Sequence, residues 1–225
     1  MTSAPDYGRA FGRWRAQAPA WGAYTQHAFV EGLRTGALPH ANFLHYLRQD
    51  YIFLIHFSRA WALAAAKSET LAELRAASGT VHALAHVEMP LHVELCARAG
   101  IDAAELEATE EAPANLAYTR YVLEAGYSGD FLDLMAALAP CVLGYGEIGA
   151  RLAGSGGAYA PWCDTYGGAE YQGLCRDVGT LIDSALLHRL GPDWVASPRM
   201  ARLGARFATA TRLEVGFWDM GLAGA

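Results

Sequence analysis

The 225-residue sequence predicts an all-α protein, a single helical domain over residues 1–225. Three observations carry this. Apolar residues recur at spacings of three and four through nearly every segment, and no stretch alternates as a half-buried strand would. Glycines and prolines fall where such helical stretches start and stop. The connections are short, with no Ser- or Pro-rich linker and no internal repeat. A bundle of this kind places ligand sites in its core, between facing helices.

A first short helix is expected over residues 7–17, stopped by Pro19. A second runs from about Trp21 to Gly36, a natural left-handed cap. Leu38-Pro39 opens a long third helix that extends to Lys67, with Phe43, Tyr46, Leu47, Phe53, Leu54, Phe57, Trp61 and Ala65 at helical spacing. Residues 80–99 give another, kinked at Pro90 and ended by Gly100, and residues 113–125 one stopped by Gly126. Asp130 caps a helix through Cys141 down to Gly154-Ser155-Gly156-Gly157. A helix over 168–189 is closed by Gly191-Pro192. Ser197-Pro198, an N-cap followed by proline at the first helical position, starts the last one, to about Met220.

Hydrophobic residues make up 53% and charged ones 18%, so the chain has more apolar surface to hide than an average globular protein. A net charge of −6 without any basic cluster argues against a nucleic-acid partner and suits neutral or mildly cationic small molecules. The longest uncharged run, 134–146, is shorter than the ~20 residues of a membrane span and contains Pro140 and two glycines, so no membrane partner is expected. Cys96, Cys141, Cys163 and Cys175 form no C-x-x-C pair, and residues 1–21 hold no apolar signal core; reduced thiols in a cytoplasm are the expectation.

Chemistry concentrates at a few positions. Cys141 follows Pro140, which deletes a helical hydrogen bond and lets the thiol point where a regular helix would not put it. Tyr145, four residues on, shares its face. The arrangement reads either as a nucleophile beside a phenol or as a small buried hydrophobe. Tyr46, Asp50, Phe53 and Phe57 form one stripe of the third helix. A carboxylate on that aromatic face needs donors, from Arg48 or a backbone group, or from a ligand with an amino group and a ring nitrogen. Glu214, Phe217 and Trp218 share a face of the last helix. There the carboxyl either has a raised pKa, fit for general acid–base work, or pairs with Arg212 or another arginine at an exposed edge. Tyr118, Tyr121, Tyr145, Trp162 and Tyr166 are rings able to stack on a flat heteroaromatic molecule.

His82, His86 and His92 lie with Glu88 and Glu94 on one helix, but Glu-x-x-His and His-Glu-x-x-His are both absent. These histidines read as surface and capping groups, and neither a metal nor another cofactor is expected. There is no glycine-rich phosphate loop before a helix and no Gly-x-Ser-x-Gly elbow.

Taken together, Phe43-x-x-Tyr46-Leu47-x-Gln49-Asp50-Tyr51, Pro140-Cys141-x-x-x-Tyr145, Trp162-x-x-x-Tyr166 and Glu214-x-x-Phe217-Trp218, in this order, resemble the TenA family, or thiaminase II. Cys141 places the chain with the cysteine-containing branch. The resemblance implies a heme-oxygenase-like helical bundle, usually assembled as a homotetramer. It also implies hydrolysis at the methylene of a 4-amino-5-(substituted methyl)-2-methylpyrimidine to release hydroxymethylpyrimidine, from an aminomethyl pyrimidine or from thiamin. By the same resemblance Cys141 adds to the ring, Glu214 shuttles the proton and activates water, and Asp50 holds the ring nitrogen and amino group. Tyr118, Tyr145, Tyr166 and Phe217 stack on the ring or bond its edge. Family members often carry tyrosine three residues after the aspartate; here that position is Phe53, which packs but offers no hydroxyl. Two alternatives are a non-catalytic pyrimidine-binding or regulatory protein, and a haem or di-iron enzyme on the same scaffold with His27 as axial ligand.

Overall fold

A computed structural model describes residues 5–155 and 157–224, the Leu91 side chain excepted. Gly156, part of the glycine cluster read as a helix end, and residues 1–4 lie outside them. Every regular element among the described residues is helical. In chain order the α-helices are α1 (Arg9–Gln17), α2 (Trp21–Thr25), α3 (Ala28–Thr35), α4 (His40–Ala66), α5 (Leu71–Ala83), α6 (Met89–Arg98), α7 (Ala103–Glu107), α8 (Pro113–Ser128), α9 (Phe131–Ala139), α10 (Tyr145–Leu152), α11 (Ala160–Gly167), α12 (Ala169–Leu190) and α13 (Pro198–Ala223). Two π-helical segments interrupt longer runs: Leu84–Glu88 joins α5 to α6, and Pro140–Gly144 joins α9 to α10.

Long helices form the frame. α13 packs on α9, α8 and α4, while α4 also packs on α5 and α8. The run Phe131–Leu152 is long and apolar enough to cross a membrane by length and composition, yet 94% of its most apolar stretch is buried inside the bundle, as befits a core helix. Its start is fixed by a capping box: Asp130 accepts from the Asp133 amide, and the Asp133 carboxylate accepts from the Asp130 amide. Arg206 then ties three helices together, donating to Asp133 at 3.2 Å and to Glu124 of α8 at 3.2 Å.

Several boundaries differ from the expected ones. The helix expected from Trp21 to Gly36 is two helices, because the chain turns extended at His27, whose ring accepts the Phe29 amide as the N-cap of α3. The break lets α2 direct Tyr24 inward while α3 lays Phe29 on Trp218, 4.9 Å between ring centroids. Gly36 does end α3 in the left-handed region, φ 73°. The expected 80–99 helix begins nine residues earlier, at Leu71, where Thr70 is the N-cap. The irregularity at Pro90 takes the form of a π turn before it. The proline sits in the first turn of α6, just past that turn, which has already shifted the hydrogen-bond register. α8 runs through Gly126 to Ser128, since a hydrogen in place of a side chain lets Leu63 and Leu134 close against the backbone there. α7 and α11 were not expected, although Asp102 and Glu105 form a capping box legible in the sequence.

One ion pair joins α5 to α12. Arg189 and Glu73 are both buried; Arg189 Nη2 donates to Glu73 Oε2 at 2.9 Å, and the pair holds the Glu73 carboxyl below its ordinary pKa. Removing one partner of such a pair strands the other charge. We expect Glu73→Gln to cost roughly 3 kcal/mol, a drop of several degrees in Tm that calorimetry would register.

Candidate active site

Cys141 stands in the π segment Pro140–Gly144. Proline supplies no N–H, and the wide turn leaves carbonyls that a regular helix would have used. Side chains take them up. The Cys141 thiol donates to the Leu138 carbonyl at 3.1 Å, the Tyr24 hydroxyl to Pro140 at 3.1 Å, and the Tyr171 hydroxyl to Val142 at 3.2 Å. Gly144 makes the Tyr24 contact possible, because a Cβ there would clash with the Tyr24 ring edge at Cε1. The thiol is thereby turned toward a cavity, and burial pushes its pKa well above the ordinary value. At rest it is a thiol, and deprotonation must accompany attack.

Glu214 lies behind the Cys141 wall, 1% exposed. It does not pair with Arg212, whose guanidinium donates to Thr209. Instead the Tyr118 hydroxyl donates to Glu214 Oε1 at 2.8 Å, and Tyr24 is a further hydrogen-bond partner. Burial is the largest influence and raises the Glu214 pKa to about 8; the two phenols oppose it. Tyr118 also works against the rise in the Cys141 pKa, although the thiol's own hydrogen bond goes to Leu138. The α8 backbone that carries Tyr118 is anchored by Gln49 of α4, which donates to the Glu110 carbonyl and accepts the Ala112 amide, both at 2.9 Å.

Asp50 is buried on the aromatic stripe of α4, and Arg48 is not its partner: that side chain points to Glu105, 3.9 Å away. Its neighbours are the Tyr46 hydroxyl and His92. Burial lifts the Asp50 pKa to about 7, against the Tyr46 hydrogen bond. His92 corrects the surface reading of the α6 histidines, because it is 8% exposed. Its Nε2 donates to the Leu47 carbonyl at 2.8 Å, which leaves Nδ1 facing Asp50 at 3.7 Å, and burial keeps the ring below its ordinary pKa. His27 is engaged elsewhere, between the Phe29 amide and Asp219 at 3.1 Å. Among the described residues no three His, Cys, Asp or Glu side chains group as a metal would require.

A cavity of about 390 Å³ joins these groups. Asp50, Phe53, Cys141, Tyr145 and Tyr166 line its inner half. Tyr118, Glu214 and Phe217 stand one layer back: Phe53 packs on Tyr118 at 5.2 Å and on Phe217 at 5.7 Å. Tyr145 meets Tyr166 edge-on at 5.1 Å, making a wall against which a flat ring can lie. All eight residues singled out in the sequence thus converge on one region. Glu88, on the other π segment, also lines the cavity and was missed, as were His92 and Tyr24. A carboxylate beside Pro90 on a polar helix carries no signal of burial; the Glu88–His92 spacing of four was the only clue.

The TENA/THI-4/PQQC family model matches residues 14–224. An aminopyrimidine aminohydrolase of Halalkalibacterium halodurans is 38% identical over 90% of this chain and 90% of its own, and one of Helicobacter pylori 29% identical over 89% and 92%. Among solved structures, a TenA family transcription regulator from Silicibacter sp. TM1040 superposes with a TM-score of 0.94 at 62% identity, covering 96% of this chain and 97% of that one. With the model matched along nearly its whole length and relatives of this similarity, the chain belongs to the TENA/THI-4/PQQC family.

Proposed function

We propose that the protein is a hydrolase of thiamin salvage that releases 4-amino-5-hydroxymethyl-2-methylpyrimidine from an aminomethyl pyrimidine or from thiamin. One observation carries this reading: a cavity-facing thiol lies beside a buried carboxyl whose phenol partner, Tyr118, acts on both groups. The aminopyrimidine aminohydrolases among the relatives support it, as does the flat aromatic chamber.

The ring lies between Phe53, Tyr145 and Tyr166, with its nitrogen edge at Asp50. A carboxyl with a pKa of about 7 can share a proton with a ring nitrogen and so draw electrons out of the ring. Cys141 sulfur adds to an electron-poor ring carbon as its proton passes to Glu214, directly or across Tyr118, and the electron pair moves onto the ring nitrogen. The same proton, now on Glu214, goes to the departing amine; the methylene–nitrogen bond breaks and an exocyclic methylene remains. Water then adds to that methylene, giving a proton to the Glu214 carboxylate, and the ring expels the sulfur, which recovers a proton. The sum is amine plus water giving alcohol plus ammonia, and no cofactor enters. The missing hydroxyl at Phe53 is offset at Glu214 by the bond from Tyr118. A cytoplasmic homotetramer belongs to the same reading.

Incubation with 4-amino-5-aminomethyl-2-methylpyrimidine and, separately, thiamin should yield hydroxymethylpyrimidine by chromatography from the wild type and none from Cys141→Ala. Binding without product from either protein would make this a pyrimidine-binding protein. Glu214→Gln should lower kcat by roughly 10²–10⁴-fold, the usual span for a lost acid–base group. Because Glu214 must start as the carboxylate, kcat/KM should rise with pH toward a limb near 8, absent from the Gln variant. The Tyr118 bond lowers the Glu214 pKa, so in Tyr118→Phe the limb should move to higher pH. An unmoved limb would remove Glu214 from the role.

A further inference from the structure

The cavity extends well beyond the chamber that a substituted pyrimidine fills; at about 390 Å³ it lies in the range that takes drug-sized molecules. Its outer half runs between α5 and α12 and is walled mostly by apolar and small side chains, among them Phe57, Leu84, Leu174 and Leu181, with Asp177 of α12 as a second carboxylate further out on that helix. Glu88 sits at the border of the two halves. It hangs from the π segment whose upstream neighbours, Thr80 and Ala83, line the outer half, while its charge acts on Asp50 and Cys141 at the inner end. The other charged group that α5 contributes to this wall, Arg75, is thirteen residues back along the run, about 20 Å away by helical rise.

Among the described residues Glu88 makes no hydrogen bond and no ion pair, whereas Glu214 and Glu73 each have a partner within 3 Å. A half-buried carboxyl with open space before it and no internal partner is disfavoured unless something else satisfies it. The ring edge already has Asp50. With the ring edge at Asp50, the rest of the cavity lies toward the outer half, past Glu88, and is the space open to the substituent on the ring methylene.

Resting on the function proposed above, we infer that Glu88 is the specificity-determining residue for the leaving group. Its carboxylate receives the N–H donors of the amine on the methylene, leaving the nitrogen lone pair free for the proton from Glu214, and so favours amine-bearing pyrimidines over thiamin, whose thiazolium nitrogen has no N–H. Burial raises the Glu88 pKa to about 7, and an N–H donor before it favours the carboxylate. The space beyond it admits amines larger than ammonia.

The test is steady-state kinetics on the aminomethyl pyrimidine and on thiamin, with wild type, Glu88→Gln and Glu88→Asp. Glu88→Gln should lower kcat/KM for the amine at least tenfold more than for thiamin, mostly through KM; Glu88→Asp, which keeps the charge one methylene further back, should fall between. Equal losses on both substrates, in variants whose Tm matches the wild type, would put Glu88 on the shared ring or in a structural role and overturn the assignment. So would no loss on either. A wild type that hydrolyses neither substrate would refute the hydrolase itself. In that case Glu88→Gln still reads out by calorimetry, where a weakened preference for the amine over the hydroxymethyl product would support the contact and an unchanged preference would overturn it.

Discussion

A carboxyl group with 1% exposure, held by one phenol at 2.8 Å, is the constraint around which this bundle is arranged. Glu214 belongs to α13 and Tyr118 to α8, so the bond survives only if those helices cross at a fixed height and rotation. Gln49 sets the start of α8 against α4, and Arg206 of α13 clasps Asp133 and Glu124 on α9 and α8. Tyr121 closes the arrangement by donating to the Arg206 carbonyl at 3.2 Å. These polar contacts lie outside the cavity, and rigid supports of this sort are what keep a buried acid at hydrogen-bond distance from a phenol on another helix.

Burial does different things to chemically identical groups here. Cys96 and Cys175 are pushed up to about 11 and about 12 by desolvation, with no cavity before them; they are packing atoms. Cys141 is also disfavoured as a thiolate, yet it alone of the four lines the cavity and has a phenol and a carboxyl to receive its proton. The carboxyls divide similarly. Glu73 is lowered by the arginine it meets, whereas Asp50, Glu88 and Glu214 are raised where burial outweighs their partners.

Much of the inner chamber could be read from the chain because it is built on long helices. Tyr46, Asp50, Phe53 and Phe57 are one stripe of α4, and Glu214 and Phe217 one stripe of α13; straight helices keep the periodicity that sequence spacing assumes. Pro140 beside Cys141 advertised an irregularity, though its form, a π turn, did not follow from the residues. Glu88 and Tyr24 were hidden for a related reason. Glu88 is rotated inward by a π turn on a helix whose exposed faces are polar, and Tyr24 is aimed by a break at His27 that looks like mid-helix sequence. His92 read as a surface group because its satisfaction comes from the Leu47 carbonyl on another helix. Spacing rules fail where the helix itself changes pitch.

Both π turns supply a functional side chain to the same cavity, and a π turn is an α-helix carrying one residue more than it needs. Such a feature is counted, not spelled. Side chains within 140–144 can be exchanged while the bulge persists, but loss of a single residue there would restore regular winding, and α10 would keep close to its present phase. What would go is the wide turn itself: the carbonyls that Tyr24, Cys141 and Tyr171 now take would return to the helix, and the thiol would lose its aim. Chain length across residues 140–144 and 84–88 is thus as much a part of the site as the thiol and the acids, and a chain aligned with this one only across a gap in either segment does not share its geometry, whatever residues it keeps.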